Sequence, residues 1–337
     1  MSTVRRLQAL KNTLSHGVGH VPTVAVGKYT EAAAISVFSE FPSIASGIRS
    51  LSTSRSPLDL AYEKVDPPES KSTSPLLIVH GLYGSKQNWR SLSKAFARKL
   101  GRPVYTVDLR NHGESPHSEV MDYTAMASDI LQFCQSRSLS DISLVGHSLG
   151  GKVVMAFALN PALPPDMLSR LVVVDISPAV GPISPEFRRY IDAMKEIDHA
   201  NVRTKKEGEE ILKKYESDAS TRAFLLHNLI APAKGEPLKF RIPLSAIADA
   251  IDGIGEFPYT PGKETWNGAT LFVKGAKSKY INRRNMGVME QFFPNMKLET
   301  LDTGHWVLIL QSMPRSKSPL STFELSDTNN ATDHKSL

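Results

Sequence analysis

The stretch from Ile142 to Pro161 constrains the fold more than any other part of the chain. An apolar run, Ile142-Ser143-Leu144-Val145, leads straight into Gly146-His147-Ser148-Leu149-Gly150-Gly151. Lys152-Val153-Val154-Met155-Ala156-Phe157-Ala158-Leu159 follows, a good helix former stopped by Asn160-Pro161. A serine with glycine two residues to either side, set between strand and helix, marks a sharp, strained turn. The glycines let the two elements approach where a Cβ would clash, and the turn lifts the hydroxyl clear of the sheet edge. It also aims the helix N-terminus, with its unpaired N–H groups, at negative charge developing on an attacked carbonyl. Ser148 is the expected nucleophile, and the Leu149 N–H an expected oxyanion donor.

Other short apolar runs recur around this one: Leu76–Val79, Val104–Val107, Leu171–Val174 and Thr270–Val273, with Leu298–Leu301 continuing the series. They lack the strict alternation of a half-wet sheet, and segments long enough for a helix separate them. That pattern indicates an α/β fold with parallel strands covered on both faces. Between Val174 and Thr270 no strong strand appears. Phe187–Met194 and the charge-interleaved Lys205–Lys214 read as helices, the second as a solvated face. Helices inserted there sit over the C-terminal edge of the strands, where ligands bind in such folds, so a cap is expected over about 181–262. The chain has 337 residues, 41% of them hydrophobic, enough for one sizeable core. Its single cysteine, Cys134, reads as the buried face of a helix.

A serine hydroxyl needs a base, and the base needs an orienting group. With this turn the base comes last in the chain, which points to His305 in Asp302-Thr303-Gly304-His305-Trp306. His20, His117, His199, His227 and His334 read as surface histidines, and His147 as a packing residue. The turn after Thr270–Val273 holds no carboxylate, whereas Val174-Asp175-Ile176-Ser177-Pro178 places Asp175 one strand beyond the nucleophile. Asp175 is the expected acid. Its alternatives are a loop-capping role, or Asp302 as the acid instead. His80-Gly81-Leu82-Tyr83-Gly84 follows the first apolar run and supplies a second oxyanion donor, the Leu82 N–H, with His80 holding the loop. Asp108-Leu109-Arg110-Asn111-His112-Gly113 reads as structural support, with Arg110 and His112 as lesser pocket candidates.

The formal charge of +6 is concentrated at the start: residues 1–56 carry Arg5, Arg6, Lys11, Lys28, Arg49 and Arg55 against Glu31 and Glu40 alone, leaving about +2 for the rest. Nucleic-acid binding therefore has no support. Arg-rich, Ser-rich and acid-poor, the first 56 residues read as a mitochondrial transit peptide, the alternative being a disordered basic leader with no targeting role. No run is long enough to span a membrane. With no P-loop, dinucleotide fingerprint, paired C-x-x-C or H-E-x-x-H, neither a metal nor another cofactor is implied.

Together, His80–Ser85, Asp108–Gly113, Gly146–Lys152, Val174–Pro178 and Gly304-His305-Trp306 make the chain resemble the mitochondrial alpha/beta-hydrolase domain-containing protein eleven family, related to compact bacterial esterases and yeast ethanol acetyltransferases. The resemblance runs from about Pro57 to Val307. It implies the alpha/beta-hydrolase fold, a triad acid in the Asp-Ile-Ser-Pro segment, and hydrolysis of carboxylic esters or thioesters in the matrix through an acyl-enzyme. In some members it implies acyl transfer to an alcohol; a non-catalytic module binding a mitochondrial enzyme complex is a further alternative. On this reading the hydrolase domain spans 57–310. The chain then departs from the family, whose members continue with a final amphipathic helix. Residues 311–337 are rich in Ser, Thr, Asn and Asp and too poor in apolar residues to pack.

Overall fold

A computed structural model describes residues 55–305. Seven strands form one sheet: β1 (Tyr62–Val65), β2 (Leu76–Val79), β3 (Val104–Val107), β4 (Ile142–His147), β5 (Leu168–Val174), β8 (Ala269–Gly275) and β9 (Met296–Leu301), in the order β1-β3-β2-β4-β5-β8-β9. Only β1 runs antiparallel to its neighbour. The mostly parallel sheet and its flanking helices match the expected α/β architecture. The apolar runs take up the predicted strands, several extended by a few residues, because β2 and β4 are buried at every position. Leu77 and Val79 face one apolar cluster while Leu76 and Ile78 face the other, so a single strand feeds both layers. β1 escapes the sequence reading because Glu63 and Lys64 interrupt it on a half-exposed edge.

Three helices brace the central strands: α1 (Arg90–Leu100), α2 (Tyr123–Ser136) and α3 (Leu149–Ala158). Asp122 starts α2 by accepting the Ala125 N–H at 2.8 Å, and Gly101 ends α1 at φ 64°. Cys134 lies buried on α2, as its setting predicts.

After β5 comes a helical insertion: α4 (Pro185–Ala200), α5 (Lys205–Leu212), α6 (Ala219–Leu226) and α7 (Leu244–Ala250), with a small hairpin of β6 (Leu229–Ile230) and β7 (Lys239–Phe240). Pro185 at the first turn of α4, and Thr204 and Asp218 capping α5 and α6, are start signals legible in the sequence. A last helix, α8 (Met286–Phe292), precedes β9. The leader over 1–56 lies, apart from its last two residues, outside the described residues, and so does the tail over 311–337.

Arg110 and His112 are wholly buried supports, as the main reading of their segment expects, and the lesser reading of them as pocket residues does not hold. Arg110 makes a two-pronged pair with Asp129 of α2, at 2.6 Å (Nε to Oδ2) and 2.7 Å (Nη2 to Oδ1), and donates to the Val120 carbonyl. Asp129 also accepts the Leu58 N–H at 2.7 Å, so one buried pair ties the segment before β1, α2 and the loop after β3 together. Removing one partner of such a pair strands a buried charge. Asp129→Ala should lower the unfolding free energy by about 3–5 kcal/mol, read by urea denaturation, and the double change Arg110→Met with Asp129→Leu should recover most of it.

Candidate active site

β4 delivers Ser148 at φ 52° and ψ −118°, a backbone region that side-chain-bearing residues rarely occupy. The turn closes only because its flanks are bare. A Cβ on Gly146 would lie 2.2 Å from the Gly150 carbonyl oxygen, and one on Gly150 would lie 2.4 Å from that of His80. Lodged between strand and helix, the Ser148 hydroxyl donates to His305 Nε2 at 3.0 Å. His305 Nδ1 donates in turn to Asp175 Oδ2 at 2.8 Å. The three residues predicted from chain order are thus brought into one hydrogen-bonded line.

Asp175 leaves the end of β5 at φ 53°, its own N–H bonded to the Val273 carbonyl at 2.8 Å, and is fully buried. Burial alone would raise its carboxyl. Hydrogen bonds from His305, Ser278 and the Gly275 N–H hold it below the usual carboxylate range instead. Asp302, the rival acid, points outward to Lys277 at 3.0 Å with its side chain 85% exposed. Ser278, in the turn that lacks a carboxylate, is a member the sequence reading missed. So is Tyr280, whose ring lies 4.0 Å from the His305 ring, centroid to centroid. His147 packs as expected and also donates through Nε2 to the His305 carbonyl at 3.0 Å.

The loop after β2 is built to present a backbone N–H. Gly84 N–H closes a turn onto the Gly81 carbonyl at 3.0 Å, with Tyr83 at φ 61°. Two neutral histidines lock it: His112 Nε2 accepts the Tyr83 N–H at 3.1 Å, and His80 Nε2 accepts the Leu109 N–H at 3.0 Å. Their other ring nitrogens donate to the Arg110 and Gly81 carbonyls. Beneath them the buried Asp108 takes the Lys86 ammonium at 2.5 Å and the Lys86 and Glu114 N–H groups at 2.6 and 2.8 Å. Leu82 occupies the first inner corner of this turn, and Leu149 opens α3, where the first N–H groups have no intrahelical acceptor. Both residues border the cavity at Ser148.

That cavity has two chambers, of about 560 and 270 Å³, sharing Leu82, Ser148 and Phe187. The insertion supplies much of the larger one, including Phe187, Tyr190, Phe224 and three carboxylates, Glu186, Glu216 and Asp218. His227, read as a surface histidine, is half-buried there beside Gln87. Among the described residues no cluster of three or more His, Cys, Asp or Glu is placed to hold a metal ion, and no helix is long and apolar enough to cross a membrane.

Comparison with known proteins agrees with this fold. A family model for the alpha/beta hydrolase fold matches residues 74–311. The sn-1-specific diacylglycerol lipase ABHD11 of Mus musculus is 38% identical, over 74% of this chain and 80% of its own. Ethanol acetyltransferase 1 of Kluyveromyces marxianus is 32% identical, over 74% of this chain and 76% of its own. A solved structure described as a marine microorganism esterase is 34% identical, with a TM-score of 0.68 over 76% of this chain and 95% of that one.

The buried histidines around the site carry a pH signature. Burial, helped by His80, holds His112 down to about 3, and burial, helped by His305, does the same to His147. An unfolded chain protonates both near 6.5, so between about pH 6.5 and 3 it binds more protons than the folded one. Stability should fall on acidification through that window, by about 1.4 kcal/mol per pH unit for each histidine. Urea unfolding across this range should show a shallower loss of stability with acidification for His112→Asn than for wild type.

Proposed function

Because the chain belongs to the alpha/beta hydrolase fold family and, within it, groups with the ABHD11 proteins, we propose that it is a serine hydrolase cleaving carboxylic esters through an acyl-enzyme. That it is an enzyme of the carboxylic ester hydrolase type follows from its relatives. The observation that carries the finer reading is the line Ser148 to His305 to Asp175, at 3.0 and 2.8 Å.

On this reading His305 Nε2 takes the Ser148 proton as Oγ attacks the carbonyl carbon. Charge on the carbonyl oxygen falls between the N–H groups of Leu82 and Leu149, each an interaction worth about 3–4 kcal/mol to the transition state in comparable sites. Asp175 steadies the imidazolium. His305 then returns the proton to the leaving oxygen, and the alcohol departs. Water repeats the sequence on the acyl-enzyme, its proton going to His305 and then back to Ser148, and the acid is released. Glu186, Glu216 and Asp218 line the larger chamber with no Lys or Arg among its lining residues, which favours an uncharged alcohol over an anionic carrier thioester as leaving group. The diacylglycerol named for the ABHD11 lipases has such a leaving group.

A second reading keeps the same acyl-enzyme but lets an alcohol outcompete water, and the likeness to ethanol acetyltransferases supports it. Ester product formed from an acyl donor in the presence of added alcohol decides between the two. We further propose matrix localisation from the basic, Ser-rich leader. Residues 1–56 fused to a fluorescent protein should direct it to mitochondria, and a diffuse signal counts against import.

Fluorophosphonate labelling tests the core of the proposal. Wild type should label and Ser148→Ala should not, while Asp175→Asn should lose about 10⁴-fold in kcat. A folded, unlabelled wild type overturns both catalytic readings in favour of a binding module.

A further inference from the structure

The two chambers meet at the nucleophile but see different catalytic groups. His305 and Gly304 line only the larger chamber, Leu149 only the smaller, and the Tyr280 ring stands between His305 and the smaller one. In the tetrahedral intermediate the leaving oxygen must lie where His305 Nε2 can protonate it, and the oxyanion must lie between the Leu82 and Leu149 N–H groups. The acyl chain is left with the direction of the smaller chamber.

One wall of that chamber comes from the two ends of the insertion, Ala179–Gly181 at its start and Ile254–Gly255 at its finish, and Lys279 and Tyr280 contribute another. These segments touch directly: the Gly181 N–H donates to the Gly255 carbonyl at 3.1 Å, and a Cβ on Gly255 would lie 2.3 Å from the Gly181 oxygen. Beneath them sits Lys152, one helical turn after Ser148 on α3 and only 4% exposed. Its ammonium donates to three carbonyl oxygens, those of Ala179 at 3.2 Å, Gly255 at 3.0 Å and Glu256 at 2.9 Å. Tyr123 completes the fastening: its ring lies 5.6 Å from the ammonium, and its hydroxyl donates to the Ile254 carbonyl at 2.7 Å.

Desolvating an ammonium is costly, and dipoles offset the penalty only when they converge on it. Three carbonyls do so here, and no neutral side chain offers three donors on one atom. We propose that Lys152 is a positioning residue for acyl specificity: by clasping both ends of the insertion to the nucleophile's helix, it fixes the width of the smaller chamber, where the acyl chain lies. This rests on Ser148 being the nucleophile. Without the clasp the two segments part, the chamber widens, and longer acyl chains gain relative to short ones.

The test compares wild type with Lys152→Met on p-nitrophenyl esters from acetate to dodecanoate, scoring kcat and KM separately, with fluorophosphonate labelling and thermal unfolding on the same samples. The ratio of kcat/KM for dodecanoate to that for acetate should rise about tenfold, the scale on which apolar pockets discriminate chain length, with KM for the long ester carrying most of the change. Should Lys152→Met fail to fold, Lys152→Gln retains two donors and serves in the same comparison. Val180, 60% exposed on the wall of the chamber, gives the converse: Val180→Trp should narrow the space and lower that ratio. A folded, labelled Lys152 variant whose chain-length profile overlays that of wild type, or falls equally for every ester, overturns the clasp. A folded wild type that does not label overturns the nucleophile assignment beneath it.

Discussion

Everything at the catalytic edge depends on one close approach of backbone to backbone, where β4 turns into α3. Ser148 is held at φ 52° because Gly146 and Gly150 let strand, helix and the loop after β2 meet with no intervening side chain. A turn of this kind stores strain, and strain persists only where the surroundings over-determine it. Here they are a fully buried strand, a fully buried helix and a loop fixed from below. The proposed nucleophile is thus held by the sheet and its helix.

The support beneath the oxyanion loop follows the same logic with polar groups. Asp108, His80 and His112 are buried, yet each has its hydrogen-bonding capacity directed at a backbone group of the loop or at Lys86. Buried polar networks are stabilising only when their members are satisfied. Burial keeps the two imidazoles neutral and their hydrogen bonds hold two loops in register, so that on the proposed mechanism the Leu82 N–H is positioned before any substrate arrives.

What could be read from the sequence was whatever local pattern carries. The central strands are continuous apolar runs, and the strand, glycine-flanked serine and helix are contiguous. Ser148, Asp175 and His305 could be ordered because each follows a strand end, a position that topology turns into proximity. β1 stayed hidden because an edge strand with Glu63 and Lys64 has no apolar signature. Tyr280, Ser278 and Phe187 stayed hidden because their meeting at the site arises from tertiary convergence, which leaves no spacing to recognise. Lys152 read as an ordinary helix residue, since nothing nearby in sequence announces three carbonyls drawn from 27 and more residues away. For Arg110 and His112 the supporting role is legible in the turn-forming cluster, whereas the lesser pocket reading fails because residue type does not reveal which way a side chain points.

The pairing of β4 with β5 brings His147 opposite Val174, so the serine and its acid stand on neighbouring strands, separated in the chain by a single helical crossover. The insertion and then β8 and β9 intervene before His305. As the polypeptide leaves a ribosome, the proposed nucleophile and acid emerge early, and the proposed base emerges only after the whole insertion has been made. Until then the serine lacks the histidine to which its hydroxyl donates. On the proposed triad, the order of residues along the chain leaves the serine without its base until the insertion, which supplies much of the cavity wall, has been synthesised.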